Sequence, residues 1–376
     1  MTESSITQIS YSQFSENRLS KGGSQRTPVS GTLELTLRCN LTCAHCYCRL
    51  PLDDRQTRDK ELSRTEVFAL LDTAAAEGCL WLLITGGEPL VRPDFSEIYT
   101  YAKKKGFLIT LFTNGTLVTD RVADFLKEYS PHKVEISLYG VTPEAHERVT
   151  LTPGSFQRTI KAVHRLLKRG IPFGLKTMAM TINHGEVKKL QKFANELGVE
   201  FRYDPIINAP FNGSMEALKL RLTPEEVLQL DLVDEKRSEN YREFCQKFWG
   251  GSTVDNIFGC GAGLNNFHID PYGQMSLCLS ARWPSYDLRQ GSFRDGFYTF
   301  FPQVRSQKPK SSYPCGHCEL HSLCGNCPGT AYPEVGDPEA IVDYYCRIAR
   351  LRAKAFGPNS SIEETVSMKA HNKLTE

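Results

Sequence analysis

The sequence has no apolar run approaching the ~20 residues that a membrane-spanning helix requires. Its opening stretch, MTESSITQISYSQFSENR, lacks the apolar segment of a secretion signal. An excess of charge of one sign is missing too, since 45 basic and 43 acidic residues leave a formal charge of +2. That balance argues against a bulk electrostatic partner such as duplex DNA or an anionic membrane surface. The expectation is a cytoplasmic protein with neither nucleic acid nor membrane as partner.

What the chain does have is cysteine, thirteen in 376 residues. Cytosolic thiols are kept reduced, so disulfides are the weaker reading. The cysteines also cluster: Cys39, Cys43, Cys46 and Cys48 lie together, as do Cys315, Cys318, Cys324 and Cys327. Short spacings let several thiolates converge on one metal centre.

The length exceeds one ordinary domain, and 40% hydrophobic residues suffice for a sizeable core. Residues 1–30 are polar and lack periodicity, so they read as a mobile arm. From 31 to 214 a unit repeats: an apolar β-rich run, a loop, then an amphipathic helix ending in Gly. The runs are 32–37, 80–85, 108–113, 133–138, 173–180 and 200–207. Ser63-Arg-Thr-Glu66 is a capping box, and Asn183-His-Gly-Glu186 is read as opening a helix in the same manner. Strands alternating with helices predict a parallel sheet, and six units predict an α/β fold, a partial (β/α)6 barrel of TIM type. Active sites of such barrels lie at the C-terminal strand ends. Residues 215–258 read as a helical bridge, with Thr223-Pro-Glu-Glu226 capping one helix. Residues 259–350 form a Gly-, Pro- and Cys-rich region that needs metal to organise it. Residues 351–376 read as a polar tail.

The first run leads directly into Cys39-x3-Cys43-x2-Cys46. Three thiolates can hold three irons of a [4Fe–4S] cluster and leave the fourth iron open, whereas a structural zinc site needs four ligands, which Cys48 would complete. The second run ends in Gly86-Gly87-Glu88-Pro89, where glycines let backbone approach a ligand and Glu88 offers an anion to an ammonium group. The third ends in Thr113-Asn114-Gly115, and the fourth presents Ser137 before Leu138-Tyr139-Gly140. Each of the last three is by itself a turn or a strand exit.

Taken together and in this order, the four motifs resemble the radical S-adenosylmethionine (SAM) superfamily. The resemblance implies that Cys39, Cys43 and Cys46 ligate a SAM-binding [4Fe–4S] cluster. Gly86, Gly87 and Glu88 would face the SAM amino group and Ser137 its ribose, with Asn114 alongside. His45 falls near the adenine, and Arg148 is a candidate partner of the SAM carboxylate. The activity implied is reductive cleavage of SAM to a 5′-deoxyadenosyl radical that takes hydrogen from a substrate, with flavodoxin or ferredoxin as electron donor.

The later cysteines, Cys260-x12-Gly273-x4-Cys278, Cys315-x2-Cys318-x5-Cys324-x2-Cys327 and Cys346, resemble the SPASM extension of that superfamily, which holds auxiliary [4Fe–4S] clusters. Cys324 and Cys327 are separated by two residues where three are common, which leaves their assignment open. By analogy Cys315, Cys318, Cys324 and Cys346 hold a distal cluster. Cys260, Cys278 and Cys327 hold a nearer one, whose fourth site is either Cys245 or open. A zinc ribbon over 315–327 would leave Cys260, Cys278 and Cys346 unexplained. Cys79 reads as a small core hydrophobe.

SPASM-bearing relatives most often modify peptides, which implies a thioether or carbon–carbon crosslink in a ribosomally made precursor. A 30-residue arm is too short for a leader-binding domain, so a separate protein or the barrel mouth would bind a leader. Leu279 stands where sulfatase-maturing relatives carry an Asp base, which lowers that alternative. Small-molecule or cofactor biosynthesis stays open, as does a non-catalytic iron–sulfur or zinc scaffold. No general acid or base is evident in the sequence.

Overall fold

The computed structural model describes residues 11–250, 255–310 and 313–358. Its centre is one nine-stranded sheet. Six strands come from the repeating region: β1 (Ser30–Thr36), β2 (Trp81–Gly86), β3 (Leu108–Thr113), β4 (Lys133–Ser137), β5 (Phe173–Met178) and β6 (Glu200–Asp204). They lie side by side in chain order, all parallel. Three short strands follow, β7 (Asn266–Ile269), β8 (Gln274–Ser276) and β9 (Tyr286–Asp287). They extend the sheet past β1, with β7 parallel to β1 and β8 and β9 antiparallel. The partial (β/α)6 barrel is therefore present, and the cysteine-rich region continues its sheet. That region is built onto the barrel instead of hanging from it.

The observed strands start or stop within two or three residues of the expected runs. β6 ends at Asp204 because Pro205 has no N–H with which to extend a ladder. The strand register fixes what each face carries. Leu33 pairs with Ile84, Ile84 with Leu111 and Leu111 with Val134, and all four are buried under the helices. Burying each such side chain stabilises the fold by about 1.5–3 kcal/mol. The opposite parity faces the lumen and is polar: Glu34 pairs with Thr85, Phe112 with Glu135, Ser137 with Lys176, and Lys176 with Arg202.

The Ser63 capping box forms and starts the helix Arg64–Ala76. Thr223 and Glu226 form another ahead of Pro224–Val233. Asn183 and Glu186 do not form one. The Asn183 side chain instead donates to the carbonyls of Tyr139 and Met178, and Glu186 accepts from the Val141 N–H. These two polar side chains thus tie the exit loops of β4 and β5 together, and the helix Val187–Glu196 starts without them.

The reading of residues 1–30 as a mobile arm needs correction for the described part. Tyr11–Gln25 is a helix, held by tertiary contacts that its polar sequence does not advertise. Trp81 Nε1 donates to the Tyr11 hydroxyl at 2.7 Å, and Asn265 Nδ2 donates to the Leu19 carbonyl at 3.0 Å. Residues 1–10 lie outside the described residues. At the other end the helix Asp343–Phe356 runs through the start of the expected tail, because Arg352 is buried against Asp231 at 2.8 Å. Residues 359–376 lie outside the described residues.

Candidate functional site

The loop carrying Cys39, Cys43 and Cys46 leaves β1 and is clamped from two sides. The Thr42 and Ala44 N–H groups donate to the carbonyls of Thr150 and Val149, at the end of the helix Pro143–Thr150. On the other side Gly86 and Gly87 press against the β1 exit. A Cβ on Gly87 would lie 2.5 Å from the carbonyl oxygens of Arg38 and Leu37, so these glycines admit the cluster loop itself.

Polar donors are aimed at the sulfurs. The Leu41 N–H lies 3.4 Å from Cys39 Sγ and Asn114 Nδ2 lies 3.7 Å from it. Asn114 also donates to Asn40 Oδ1 at 3.0 Å while its own oxygen accepts from Thr116. It therefore links the Thr113-Asn114-Gly115 turn to the cysteine loop. Burial pushes the Cys39 thiol up to about 12 and Cys43 higher still. A hydrogen bond from the Cys48 thiol brings Cys46 down to about 7, and Cys48, which makes it, holds its own proton more tightly. Thiols that resist ionisation when buried lose their protons to solvent when a cation takes the proton's place on sulfur, as in iron–sulfur ligation. His45 stacks edge-on to Tyr139 at 5.0 Å and leaves a buried Nδ1 with no partner among the described residues. The donor set fits a three-cysteine cluster. Cys48 is buried and its thiol hydrogen-bonds to Cys46.

Glu88 has a bracing role beside the one the resemblance implies. It is fully buried, and both carboxylate oxygens are occupied: Oε1 by the Leu90 N–H at 3.1 Å, Oε2 by the Asn114 N–H at 2.8 Å, with the Thr113 hydroxyl against both. Glu88 braces the turns after β2 and β3 against each other. Burial raises its carboxyl to about 7. Ser137 faces the lumen next to Lys176. Arg148 is exposed on the helix Pro143–Thr150.

The later cysteines gather in two groups. Cys278 feels the charges of Cys327 and Cys260, which together with burial raise its thiol. Burial raises the thiols of Cys315, Cys324 and Cys346, and neighbouring charges that include Cys318 act on each of the first two. Donors are aimed at these sulfurs too, from the Ala281 N–H to Cys278 at 3.3 Å, the Asn326 N–H to Cys324 at 3.4 Å and the Thr330 hydroxyl to Cys327 at 3.7 Å. A four-iron cluster asks each thiolate to reach a different iron, so its ligands stand wider than those of one zinc. Among the described residues, no three His, Cys, Asp or Glu side chains converge tightly enough to hold a single ion. Gly273, whose φ of +86° suits glycine alone, turns β7 into β8 and so delivers Cys278 to its group.

Cys245 is not brought to either group. It is fully buried among Leu228, Leu232, Leu323 and Phe356, in the packing of the bridge helices against Asp343–Phe356. Cys245→Ala is expected to leave the iron content unchanged and to cost about 1 kcal/mol of stability through lost packing. Loss of iron in that variant would restore Cys245 as a ligand. Cys79 is buried in the main core, as expected.

Sequence reasoning passed over a buried network that joins the two halves. Glu34, on the lumen face of β1, takes Arg282 at 2.7 Å and His268 at 3.1 Å. His268 in turn bonds Ser276 at 2.8 Å, and Ser276 reaches the Cys278 carbonyl at 3.3 Å. One charged residue inside an otherwise β-rich run, as in Thr32-Leu-Glu34-Leu-Thr36, is the signal that could have found it.

A cysteine loop at the first strand exit, braced turns at the next two and an inward hydroxyl at the fourth define an enzyme class whose strand ends hold a cluster and its ligand. Residues 33–196 match the model of the Radical SAM superfamily, and the chain belongs to that superfamily. Its relatives are of the SPASM type. The mycofactocin maturase MftC of Mycobacterium tuberculosis is 30% identical over 84% of this chain and 83% of its own. An AdoMet-dependent heme synthase of Methanosarcina barkeri is 26% identical over 81% of this chain and 92% of its own. Among solved structures, SuiB of Streptococcus suis bound to S-adenosylmethionine superposes with a TM-score of 0.66 at 16% identity, covering 92% of this chain and 83% of that one. The family implies a [4Fe–4S] cluster and SAM. Among the described residues, no helix is long and apolar enough to cross a membrane.

Proposed function

We propose that this radical SAM enzyme modifies a peptide substrate, forming a thioether or carbon–carbon crosslink in a ribosomally made precursor. The observation that carries the reading is the open side of the barrel. Among the described residues β6 ends the sheet with no strand beyond it, and Glu200, Arg202 and Asp204 are exposed there. A groove of about 770 Å³ runs beside that edge, lined by the helices Val187–Glu196 and Glu235–Phe248. An unpaired edge next to a groove accepts an extended chain through main-chain hydrogen bonds.

The cluster and SAM, when bound, supply one-electron chemistry and a hydrogen-abstracting fragment of SAM. The chain's own residues do the rest. Cys39, Cys43 and Cys46 hold the cluster, Asn114 and Leu41 direct hydrogen bonds to Cys39, and Glu88 keeps the two SAM-facing turns in register. Cys260, Cys278 and Cys327 would hold one auxiliary cluster with an open position, and Cys315, Cys318, Cys324 and Cys346 a second. A small cavity of about 80 Å³ lies between Tyr47 of the cluster loop and Leu279, Ser280 and Thr330 beside the first auxiliary group. A separate leader-binding protein and a flavodoxin or ferredoxin donor complete the proposal.

The heme synthase relatives favour a second reading, a carboxylated tetrapyrrole or another cofactor precursor as substrate. Both are tested by adding candidate precursor peptides, or iron-coproporphyrin, to the reduced enzyme with SAM. Stimulation of 5′-deoxyadenosine formation and a mass loss of two hydrogens in a peptide support the first. Stimulation by the porphyrin alone overturns it.

A further inference from the structure

Two residues, Gly325 and Asn326, separate Cys324 from Cys327 where three are common in the family. The cysteine charges that act on Cys324 are those of Cys346, Cys315 and Cys318, whereas Cys327 acts on Cys278. Neighbouring ligands thus serve different groups, and Asn326 stands at the junction. It is buried, 4% exposed, and every polar atom of its side chain is used. Oδ1 accepts from the Val342 N–H at 3.1 Å. Of the two hydrogens on Nδ2, one goes to the Ala340 carbonyl at 3.2 Å and the other to Cys315 Sγ at 3.9 Å. A flipped amide would set N–H against N–H at Val342 and oxygen against oxygen at Ala340. The main chain therefore fixes the orientation, and the Cys315 sulfur faces a donor. The Asn326 N–H supplies a second donor, 3.4 Å from Cys324 Sγ. Val342 directly precedes the helix Asp343–Phe356, which carries Cys346. One residue thus ties together the segments of Cys315, Cys324 and Cys346. Its bond and that from Tyr313 both oppose the rise that burial imposes on the Cys315 thiol.

We propose that Asn326 is a positioning residue of the distal auxiliary cluster, whose side-chain amide donates to the Cys315 sulfur and so raises the reduction potential of that cluster. Reduction adds negative charge to the cluster and its thiolates. An N–H aimed at one of these sulfurs stabilises the reduced form more than the oxidised one. The inference rests on the reading of the later cysteines as ligands of two auxiliary clusters. It does not depend on whether the substrate is a peptide or a porphyrin.

The test is a potential measured on the full chain, with Cys39, Cys43 and Cys46 replaced by Ala so that only auxiliary clusters contribute. Asn326→Asp and Asn326→Ala are added to this background and each protein is reconstituted anaerobically. Iron is counted, and the potentials are read by EPR in a redox titration. Asn326→Asp keeps the acceptor for Val342 but loses the donor and brings a negative charge, while Asn326→Ala loses donor and acceptor alike. With about eight irons retained, one of the two potentials is expected to fall in both variants and the other to stay. In Asn326→Asp the reduction equilibrium should shift tenfold or more, about 59 mV for a one-electron couple, and by less in Asn326→Ala. A purely structural role would change iron content and leave the potential of a loaded cluster where it was. Retained iron with both potentials unmoved overturns the inference alone, whereas a background protein without iron overturns the auxiliary-cluster reading and the inference with it. Should neither variant load, the background protein is made with asparagine carrying 15N at the side-chain amide. Among the described residues, Asn326 is the one asparagine whose side chain donates to a sulfur of the later cysteines. A nitrogen coupling to a reduced cluster in pulsed EPR then supports the bond, and its absence refutes it.

Discussion

Alanine in place of Glu34 is expected to loosen the cysteine-rich region from the barrel and to cost about 3–5 kcal/mol, the usual penalty for removing one member of a buried ion pair. Glu34 is fully buried on β1, and His268 from the neighbouring strand β7 and Arg282 from the segment after β8 reach it. Without it the Arg282 guanidinium is left inside with no carboxylate, and His268 keeps only Ser276. Burial alone would raise the Glu34 carboxyl, but the bonds from His268 and Arg282 outweigh burial and hold it below its usual range. A carboxyl with a depressed folded value stabilises above the ordinary value near 4.5 and loses that contribution as pH falls through the depressed one. The parent is therefore expected to lose stability on acidification below about 4.5 more steeply than Glu34→Ala. A denaturation midpoint shift under about 1 kcal/mol, with protease resistance of residues 259–310 unchanged, would count against this account.

The second large effect is expected at Glu88. Each of its oxygens accepts a backbone N–H, from Leu90 and from Asn114. In Glu88→Gln one of the two must face the new amide NH2, so a buried donor meets a donor whichever way the side chain is turned. The cost is about 1–3 kcal/mol, and it falls on the two turns that flank the cysteine loop. SAM cleavage is expected to drop by at least tenfold while iron content holds. The pH dependence has the opposite sense to that of Glu34. A carboxyl raised by burial to about 7 keeps its proton more tightly in the folded protein. Stability from this group is full below about 4.5, declines as pH rises toward about 7 and is level above. The Gln variant should lack that decline. A parallel pH profile in the two proteins would show that Glu88 is ionised throughout.

The strand-end motifs were legible because each sits where a short apolar run stops, and a parallel barrel brings all its strand exits to one rim. Cys39–Cys46, Gly86–Glu88, Asn114 and Ser137 are gathered by that rule alone. Other features depended on contacts that spacing does not encode. Asn183 and Glu186 have the spacing of a capping box, yet the exit loops of β4 and β5 claim their side chains. The helix Tyr11–Gln25 forms on Trp81 and Asn265, residues far away in the chain. Cys245 was a candidate ligand by count, whereas packing makes it part of an apolar cluster. Glu34 and Lys176 share one signature, a single charge at lumen parity in a β-rich run, while β4 carries the pair Lys133 and Glu135 at that parity, and these charges identify the polar chamber once the register is known.

The central claim is that Cys39, Cys43 and Cys46 hold a cluster that cleaves SAM while the later cysteines hold others. The most direct measurement compares the anaerobically reconstituted parent with the triple variant Cys39→Ala, Cys43→Ala, Cys46→Ala, counting iron and sulfide and assaying 5′-deoxyadenosine with SAM and dithionite. The account predicts about twelve irons and 5′-deoxyadenosine in the parent, against about eight irons and none in the variant. Equal iron in both proteins, or 5′-deoxyadenosine surviving in the variant, would contradict it.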